Sequence, residues 1–349
     1  MRVLVICGGE SPEHSVSLVT TKAVLESIDD EHEVILVGIT PEGKHILLPE
    51  VGDWQLSDSP VLEDNDLEIL WPFGGGELAY FEYRELIPIG EIDVCLPLLH
   101  GDNGEDGSIQ GLLQLCHIRY VGAGVSASAA AMDKKLTKDL ARQAGIPVCD
   151  EEVIGHDQFL DNPELTIQEL DRRLQYPVVV KPAKSGSSVG VSVAENSSHL
   201  LESLKLAFEQ DSRALIEPRL IGREIEIAVL EDVGGELLTS VAGEISVGGG
   251  GIYDYHAKYL SDAAKLTVPA ELTEEQLSKV QDLAKSAFVA LGCKGLARVD
   301  FFLTDSGWLL SEVNTMPGFT PISMYPKLFK ESGIDYPELI AKLIERAIR

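Results

Sequence analysis

Two short runs near the C-terminus, ARVDFFL and WLLSEVN, carry Arg298, Asp300, Glu312 and Asn314, a set suited to a hard divalent cation with an anion beside it. Both runs are rich in β-formers, and Asp305, Ser306 and Gly307 between them suit a three-residue hairpin loop with glycine in the left-handed position. Such a loop pairs Thr304 with Trp308, which sets Asp300 opposite Glu312 and Arg298 opposite Asn314. Residues two apart on a strand share a face, and directly opposed side chains have Cβ atoms roughly 5 Å apart. Two carboxylates that close repel unless a cation lies between them, and oxygen donors beside an arginine match Mg²⁺ shared with phosphate. A solvated polar face on an edge hairpin has the same spacing, so the rest of the chain must decide.

Other motifs carry compatible chemistry. In VVVKPAKSGSSVGVSV, Lys181 ends an apolar run and is followed by a loop with Ser187 and Ser188. A lysine with backbone and hydroxyl donors can clamp polyphosphate, although an ordinary hairpin with a solvated lysine fits too. IEPRLIGREIEIAV places Glu217 after an apolar run and Glu224 at a strand start; a nucleobase pocket with a carboxylate on ribose and a plain solvated surface both suit it. LVICGGESPEHSVSLVT puts glycines and Glu13 between a strand and a helix start, where backbone NH groups favour an anion and Glu13 can hold an ammonium. LHGDNGEDGSIQG offers His100, Asp102, Glu105 and Asp106 at a strand end, but its glycines and Asn103 suit turns better than a rigid metal cage. GGGGIYDYHAKYLSD, with Lys258 and Tyr259, reads as a lid over a substrate or as an exposed loop. VGAGVSASAA contains GxGxxA, yet it lacks the first βα position and the downstream acid of a dinucleotide fingerprint. No GxxxxGK[ST] occurs, which excludes the P-loop mechanism.

The elements that position these residues follow from periodicity. Strands at 3–7, 33–39 and 93–98 alternate with helices at 15–28 and from Ser108, which implies a parallel sheet with ligands at the carboxyl ends of its strands. The loops at 8–14 and 100–107 follow those ends. Residues 42–88 read as short edge strands and an insertion. A helix over 133–144 stops at Gly145 and Pro147; strands at 176–181 and 189–193 and a helix over 198–209 make a compact α+β unit. Strands at 224–230 and 237–244, a helix over 273–291, the hairpin and a helix from Tyr336 complete the chain.

At 349 residues the chain has room for two or three domains. A formal charge of −29 makes a nucleic-acid partner a poor match. The five cysteines are dispersed without a CxxC, which suggests buried reduced thiols and a cytoplasmic protein. No run approaches the ~20 apolar residues that span a bilayer, so no membrane partner is expected.

Taken in order, GGxSxEHxVS, LHGxxGEDGxxQG, AMDKxxxK, VVVKPxxxGSSVG, the YDYxAKY loop, RVDFF and EVNTxPGFT resemble the D-alanine:D-alanine ligase family of the ATP-grasp superfamily. The resemblance runs from Arg2 to the last helix, with gaps around 42–88 and 151–170. It implies an α/β fold: an N-terminal Rossmann-like parallel-sheet domain over 1–125, then central (126–216) and C-terminal (217–349) ATP-grasp subdomains. It further implies ATP-dependent joining of two D-alanines through a D-alanyl phosphate, for peptidoglycan precursors. By position, Lys138 and Lys181 would hold phosphates, with Ser188 in the loop over them and Lys258 close by; Glu217 and Glu224 would bind the nucleoside. Asp300, Glu312 and Asn314 would hold two Mg²⁺ (or Mn²⁺) ions. Glu13 would bind the first D-alanine's amino group, linked to Ser187 and Tyr259. Arg298 and the Gly318 NH would form an oxyanion hole, Ser323 would meet the second D-alanine's carboxylate, and His100 would lie near the substrates. A homodimer is the common state. Tyr259 resembles the dipeptide-forming type, whereas His256 stands where glutamate is common.

Overall fold

The computed structural model describes residues 1–48, 61–247 and 264–349. Strand β1 (Arg2–Gly8) leads through a glycine turn into helix α1 (His14–Leu25), followed by β2 (Glu33–Ile39) and β3 (His45–Leu47). Three short strands, β4 (Ile69–Leu70), β5 (Leu78–Glu82) and β6 (Glu85–Gly90), form a small antiparallel sheet of their own that begins in the 42–88 stretch and ends just beyond it. Strand β7 (Val94–Pro97) then returns to the first sheet, whose order is β3-β2-β1-β7, with β1 parallel to both β2 and β7. Burial on both faces explains why β1 reads as an unbroken apolar run. Gly8, at φ +86°, cannot be replaced cheaply: a Cβ there would stand 2.2 Å from the Ile39 carbonyl oxygen. Helix α2 (Ser108–Leu115) follows the second loop.

Helix α3 (Val125–Met132) and helix α4 (Lys134–Gln143) come next. The Asp133 carboxylate caps α4 by accepting from the Lys135 and Leu136 amides. The central unit holds β8 (Glu152–Gly155), α5 (His156–Asp161), α6 (Pro163–Asp171), β9 (Val178–Pro182), β10 (Ser192–Ala194), α7 (Ser197–Phe208) and β11 (Arg213–Pro218), with sheet order β10-β9-β11-β8. Strand β10 starts later than its sequence suggests, because Ser187, Ser188 and Gly190 all take positive φ and prolong the turn.

The last unit is an antiparallel sheet of order β14-β13-β12-β15-β16. Its strands are β12 (Arg223–Glu231), β13 (Leu237–Val247), β14 (Ala264–Thr267), β15 (Leu296–Thr304) and β16 (Gly307–Asn314); α8 (Glu274–Ala290) lies between β14 and β15, and α9 (Met324–Glu331) and α10 (Tyr336–Ile348) follow. Alternation sorts the side chains. Ile225, Ile227, Val229, Val299 and Phe301 share a core with Val280 and Ala284 of α8, joined by Ala131, Ala141 and Ile146. Ala228, Leu230 and Leu296 face the other way, into a core with Tyr325, Leu328 and Leu343 that also contains Val3, Val5 and Leu96 of the first sheet. The far end of this second face carries Glu224, Glu226, Arg298 and Asp300.

The β15–β16 hairpin reaches the expected pairing by another route. Its loop has two residues, not three: Thr304 pairs with Gly307, and Leu303 with Trp308. Continued without interruption, that register would set Asp300 opposite Ser311 and turn Glu312 into the apolar face, since a slip of one residue reverses every side chain. A β-bulge between Phe301 and Asp300 adds the missing residue, so Asp300 faces Glu312 and Arg298 faces Asn314.

Candidate active site

Arg298 sits at the centre of the hairpin's polar face. Its Nε donates to Asp300 Oδ1 at 2.8 Å and its Nη2 to Asp300 Oδ2 at 2.7 Å, while Nε also lies 3.2 Å from Glu226 Oε1. Burial disfavours the guanidinium charge, but Asp300 and Glu226 outweigh it and hold the group well above its ordinary pKa. Arg298, Glu226 and Glu312 line both of two adjoining cavities, of about 760 Å³ and about 430 Å³.

The larger cavity receives Lys138 from α4, Lys181 from β9, Ser188, Glu217 from β11, Glu224 from β12 and Asp300. Glu217 is buried between the two lysines, with Oε1 2.6 Å from Lys138 Nζ and Oε2 2.6 Å from Lys181 Nζ. Burial alone would raise its pKa, yet Lys181 and Lys138 reverse this and hold the carboxyl at about 2. Lys138 Nζ also donates to Cys149 Sγ at 2.8 Å. At the mouth, Ser187 and Ser188 occupy the left-handed region in succession, at φ +48° and +58°. Two such non-glycine residues in a row are held only by surrounding contacts, and one is the Lys134 ammonium donating to the Ser185 carbonyl at 2.6 Å.

The smaller cavity collects residues far apart in sequence: Glu13, His100, Ser187, Asn314, Gly318 and Ser323. Ser187 Oγ donates to Glu13 Oε1 at 2.6 Å across the boundary between the first and central units. Ser11 Oγ ties the two N-terminal loops together by donating to the His100 carbonyl at 2.6 Å. His100 is itself buried, with Nδ1 3.7 Å from Glu105 Oε1. Burial lowers its pKa, but Glu105 and Glu13 more than offset that, so the imidazole titrates above its ordinary value. At the other end, Ser323 Oγ accepts from the Thr320 amide at 3.2 Å. A Cβ on Gly318 would approach Ser323 Oγ to 3.2 Å, so glycine keeps the backbone close to that hydroxyl.

The fold thus brings every described residue given a role by the resemblance to one or both cavities. Lys258, Tyr259 and His256 lie outside the described residues. Glu226 and Lys134 also stand at the site without having been singled out, and Glu105, one of the acidic neighbours of His100, lines the smaller cavity. For Glu226 a signal existed, because it lies two residues beyond Glu224 on the same strand face.

The donor set of the hairpin bears on cation binding. Among the described residues no group of three or more His, Cys, Asp or Glu side chains can hold a metal ion. The Asn314 amide adds a third oxygen-bearing side chain to Asp300 and Glu312, and its Oδ1 accepts from the Met316 amide at 3.2 Å. Two carboxylates, one amide oxygen and open positions facing a cavity fit Mg²⁺ shared with phosphate and water, not a closed protein cage.

The chain matches the family model described as D-ala D-ala ligase N-terminus over residues 2–123 and that described as D-ala D-ala ligase C-terminus over residues 140–345. A protein named D-alanine--D-alanine ligase from Mycolicibacterium smegmatis is 42% identical, covering 99% of this chain and 95% of its own length. One of the same name from Mycolicibacterium vanbaalenii is 44% identical, covering 100% and 97%. Among solved structures, the VanG D-Ala:D-Ser ligase from Enterococcus faecalis superposes with a TM-score of 0.84 at 32% identity over 99% of both chains. The D-alanine-D-alanine ligase from Coxiella burnetii does so with a TM-score of 0.83 at 33% identity over 100% of this chain and 94% of its own.

Proposed function

The chain belongs to the D-alanine–D-alanine ligase family, and we propose that its two cavities are the ATP half and the amino-acid half of one active site. It is an ATP-dependent ligase with the ATP-grasp fold, and it joins two D-alanines to D-alanyl-D-alanine for peptidoglycan synthesis. The observation that carries the two-halves reading is the shared wall: Arg298 and Glu312 line both cavities, so a phosphate in one and a carboxylate in the other meet there.

A carboxylate is a poor electrophile. In this reading an oxygen of the first D-alanine's carboxylate attacks the γ-phosphorus of ATP, ADP leaves, and an acyl phosphate results. The amine of the second D-alanine then attacks the acyl carbon, the carbon–oxygen bond breaks, and inorganic phosphate departs. Lys138 and Lys181 hold the phosphates, with Ser188 beside them, and Glu217 and Glu224 receive the nucleoside. Because Glu217 already binds both lysines, polyphosphate competes for cations that are charged and in place. Glu13, oriented by Ser187, takes the first ammonium, and His100 lies beside it. Arg298 and the Gly318 NH stabilise the tetrahedral oxyanion, and Ser323 meets the second carboxylate.

Asp300, Glu312 and Asn314 would hold Mg²⁺ or Mn²⁺, two ions in the full proposal, supplying charge neutralisation on the transferring phosphoryl group. Lys258 and Tyr259 enter by resemblance alone. The same proposal includes three units near 1–125, 126–216 and 217–349, a cytoplasmic location and a homodimer. The first of these is supported by the three separate larger sheets. The second is supported by five buried cysteines that are all free thiols.

A D-Ala:D-Ser ligase stands among the structural neighbours, so D-serine is the second substrate to test. The experiment is mass spectrometry of products with ATP, Mg²⁺, D-alanine and equal D-serine and D-lactate. D-alanyl-D-alanine is expected to predominate; predominance of a mixed product would reassign the second site.

A further inference from the structure

Three carboxylates stand in a row across three neighbouring strands at the shared wall. Glu226 on β12 pairs in register with Asp300 on β15, which pairs with Glu312 on β16. Only Asp300 and Glu312 have a place in the proposed cation set. Glu226 is 4% exposed, and on its other side it faces Gly243, which has no side chain. Its Oε1 lies 3.2 Å from Arg298 Nε, the same nitrogen that donates to Asp300 Oδ1.

Asp300 is therefore asked to do two things. It grips Arg298 with both oxygens, and it is also a cation ligand in the reading above. A carboxylate that turns part of its charge to a divalent cation loosens its hold on a guanidinium, and Arg298 is only 12% exposed. A buried charge that loses its partner is strongly destabilised and moves to find another. Glu226 touches Arg298 without belonging to the cation set, so it remains when Asp300 is shared.

We propose that Glu226 is a positioning residue for the ligase reaction: it anchors Arg298 at the shared wall by its Nε side, which lets Asp300 serve the cation without Arg298 leaving the oxyanion position. This rests on the oxyanion reading of Arg298. Two consequences separate it from a merely structural role. Without the Glu226 charge, Arg298 keeps Asp300 to itself and weakens cation binding. Without Arg298, Glu226 has nothing to position.

The test is a double-mutant cycle of Glu226→Gln and Arg298→Ala, with turnover measured beside Mn²⁺ binding to the ADP complex by electron paramagnetic resonance. Thermal melting checks that each variant is folded, and Glu226→Asp replaces Glu226→Gln in the same cycle if the latter fails to fold. Glu226→Gln should lower kcat by roughly tenfold or more, the size of one lost charge-assisted contact, and raise the Mn²⁺ dissociation constant. In the Arg298→Ala background it should cost no further turnover, and Mn²⁺ affinity should return. Additive losses, or unchanged turnover and Mn²⁺ binding in Glu226→Gln, would overturn the proposal. If Arg298→Ala alone lowers the rate, the oxyanion reading stands and only the role of Glu226 fails; if neither variant matters, the oxyanion reading fails as well.

Discussion

In the larger cavity the charged groups neutralise one another at contact distance, Glu217 between Lys138 and Lys181, whereas in the smaller one Glu13 is met by a hydroxyl 174 residues away in sequence. The first arrangement is a buried ion cluster formed with the fold; the second is a hydrogen bond between units with separate cores. Breaking the cluster leaves uncompensated charge in the interior, so its removal should be felt in stability as well as binding. Breaking the Glu13–Ser187 contact should be felt in substrate binding and hardly in stability. The shared wall belongs to both, and chemistry is expected to be most sensitive there.

Four substitutions can break or sharpen that contrast. The largest effect is expected at the wall: Asp300→Ala or Glu312→Ala should abolish phosphate release at saturating ATP and Mg²⁺, and wild-type turnover in either would remove the cation assignment. Next comes Glu217→Gln, which leaves Lys138 and Lys181 facing each other without the anion between them, while Lys138 keeps Glu151 Oε2 at 3.7 Å. Breaking a buried pair in this way costs about 3–5 kcal/mol, so a clear drop in Tm is expected. The folded carboxyl titrates at about 2, below its ordinary 4.5. Its stabilisation is therefore complete above pH 4.5 and is lost as pH falls through 2. The Tm gap between wild type and Glu217→Gln should shrink over that window; a gap independent of pH would mean that the ion cluster is not its source. The smallest effect is expected for Ser187→Ala, which removes one hydrogen bond to a carboxylate. It should raise KM for D-alanine roughly tenfold with little change in Tm, and a large loss of Tm would erase the distinction between the cavities.

Much of this site is legible in the chain because β-strand alternation converts spacing into geometry. Arg298, Asp300, Glu312 and Asn314 fall on one face as their spacing implies, yet through a two-residue loop and a compensating bulge. A bulge has no strong sequence signal of its own, and here its effect equals that of one more loop residue. Helices α3 and α9 were not read from sequence. The VSASAAAM segment of α3 has small residues in place of an amphipathic pattern, and α9 is a short helix with Pro326 in its first turn. Tertiary packing decides both: α3 adds Ala131 to the core under α8, and α9 adds Tyr325 and Leu328 to the core shared with the first sheet. The Glu13–Ser187 link was reached through the resemblance, since no local periodicity connects the first unit to the central one.

The meeting of the two cavities at Arg298 and Glu312 implies direct transfer of the γ-phosphoryl group to the carboxylate of D-alanine. Turnover of ATP with D-alanine labelled with ¹⁸O in its carboxylate, followed by mass spectrometry of the released phosphate, tests this most directly. The account predicts one carboxylate-derived ¹⁸O in the phosphate for each dipeptide formed. Phosphate free of the label would mean that the carboxylate never attacks phosphorus, and would contradict it.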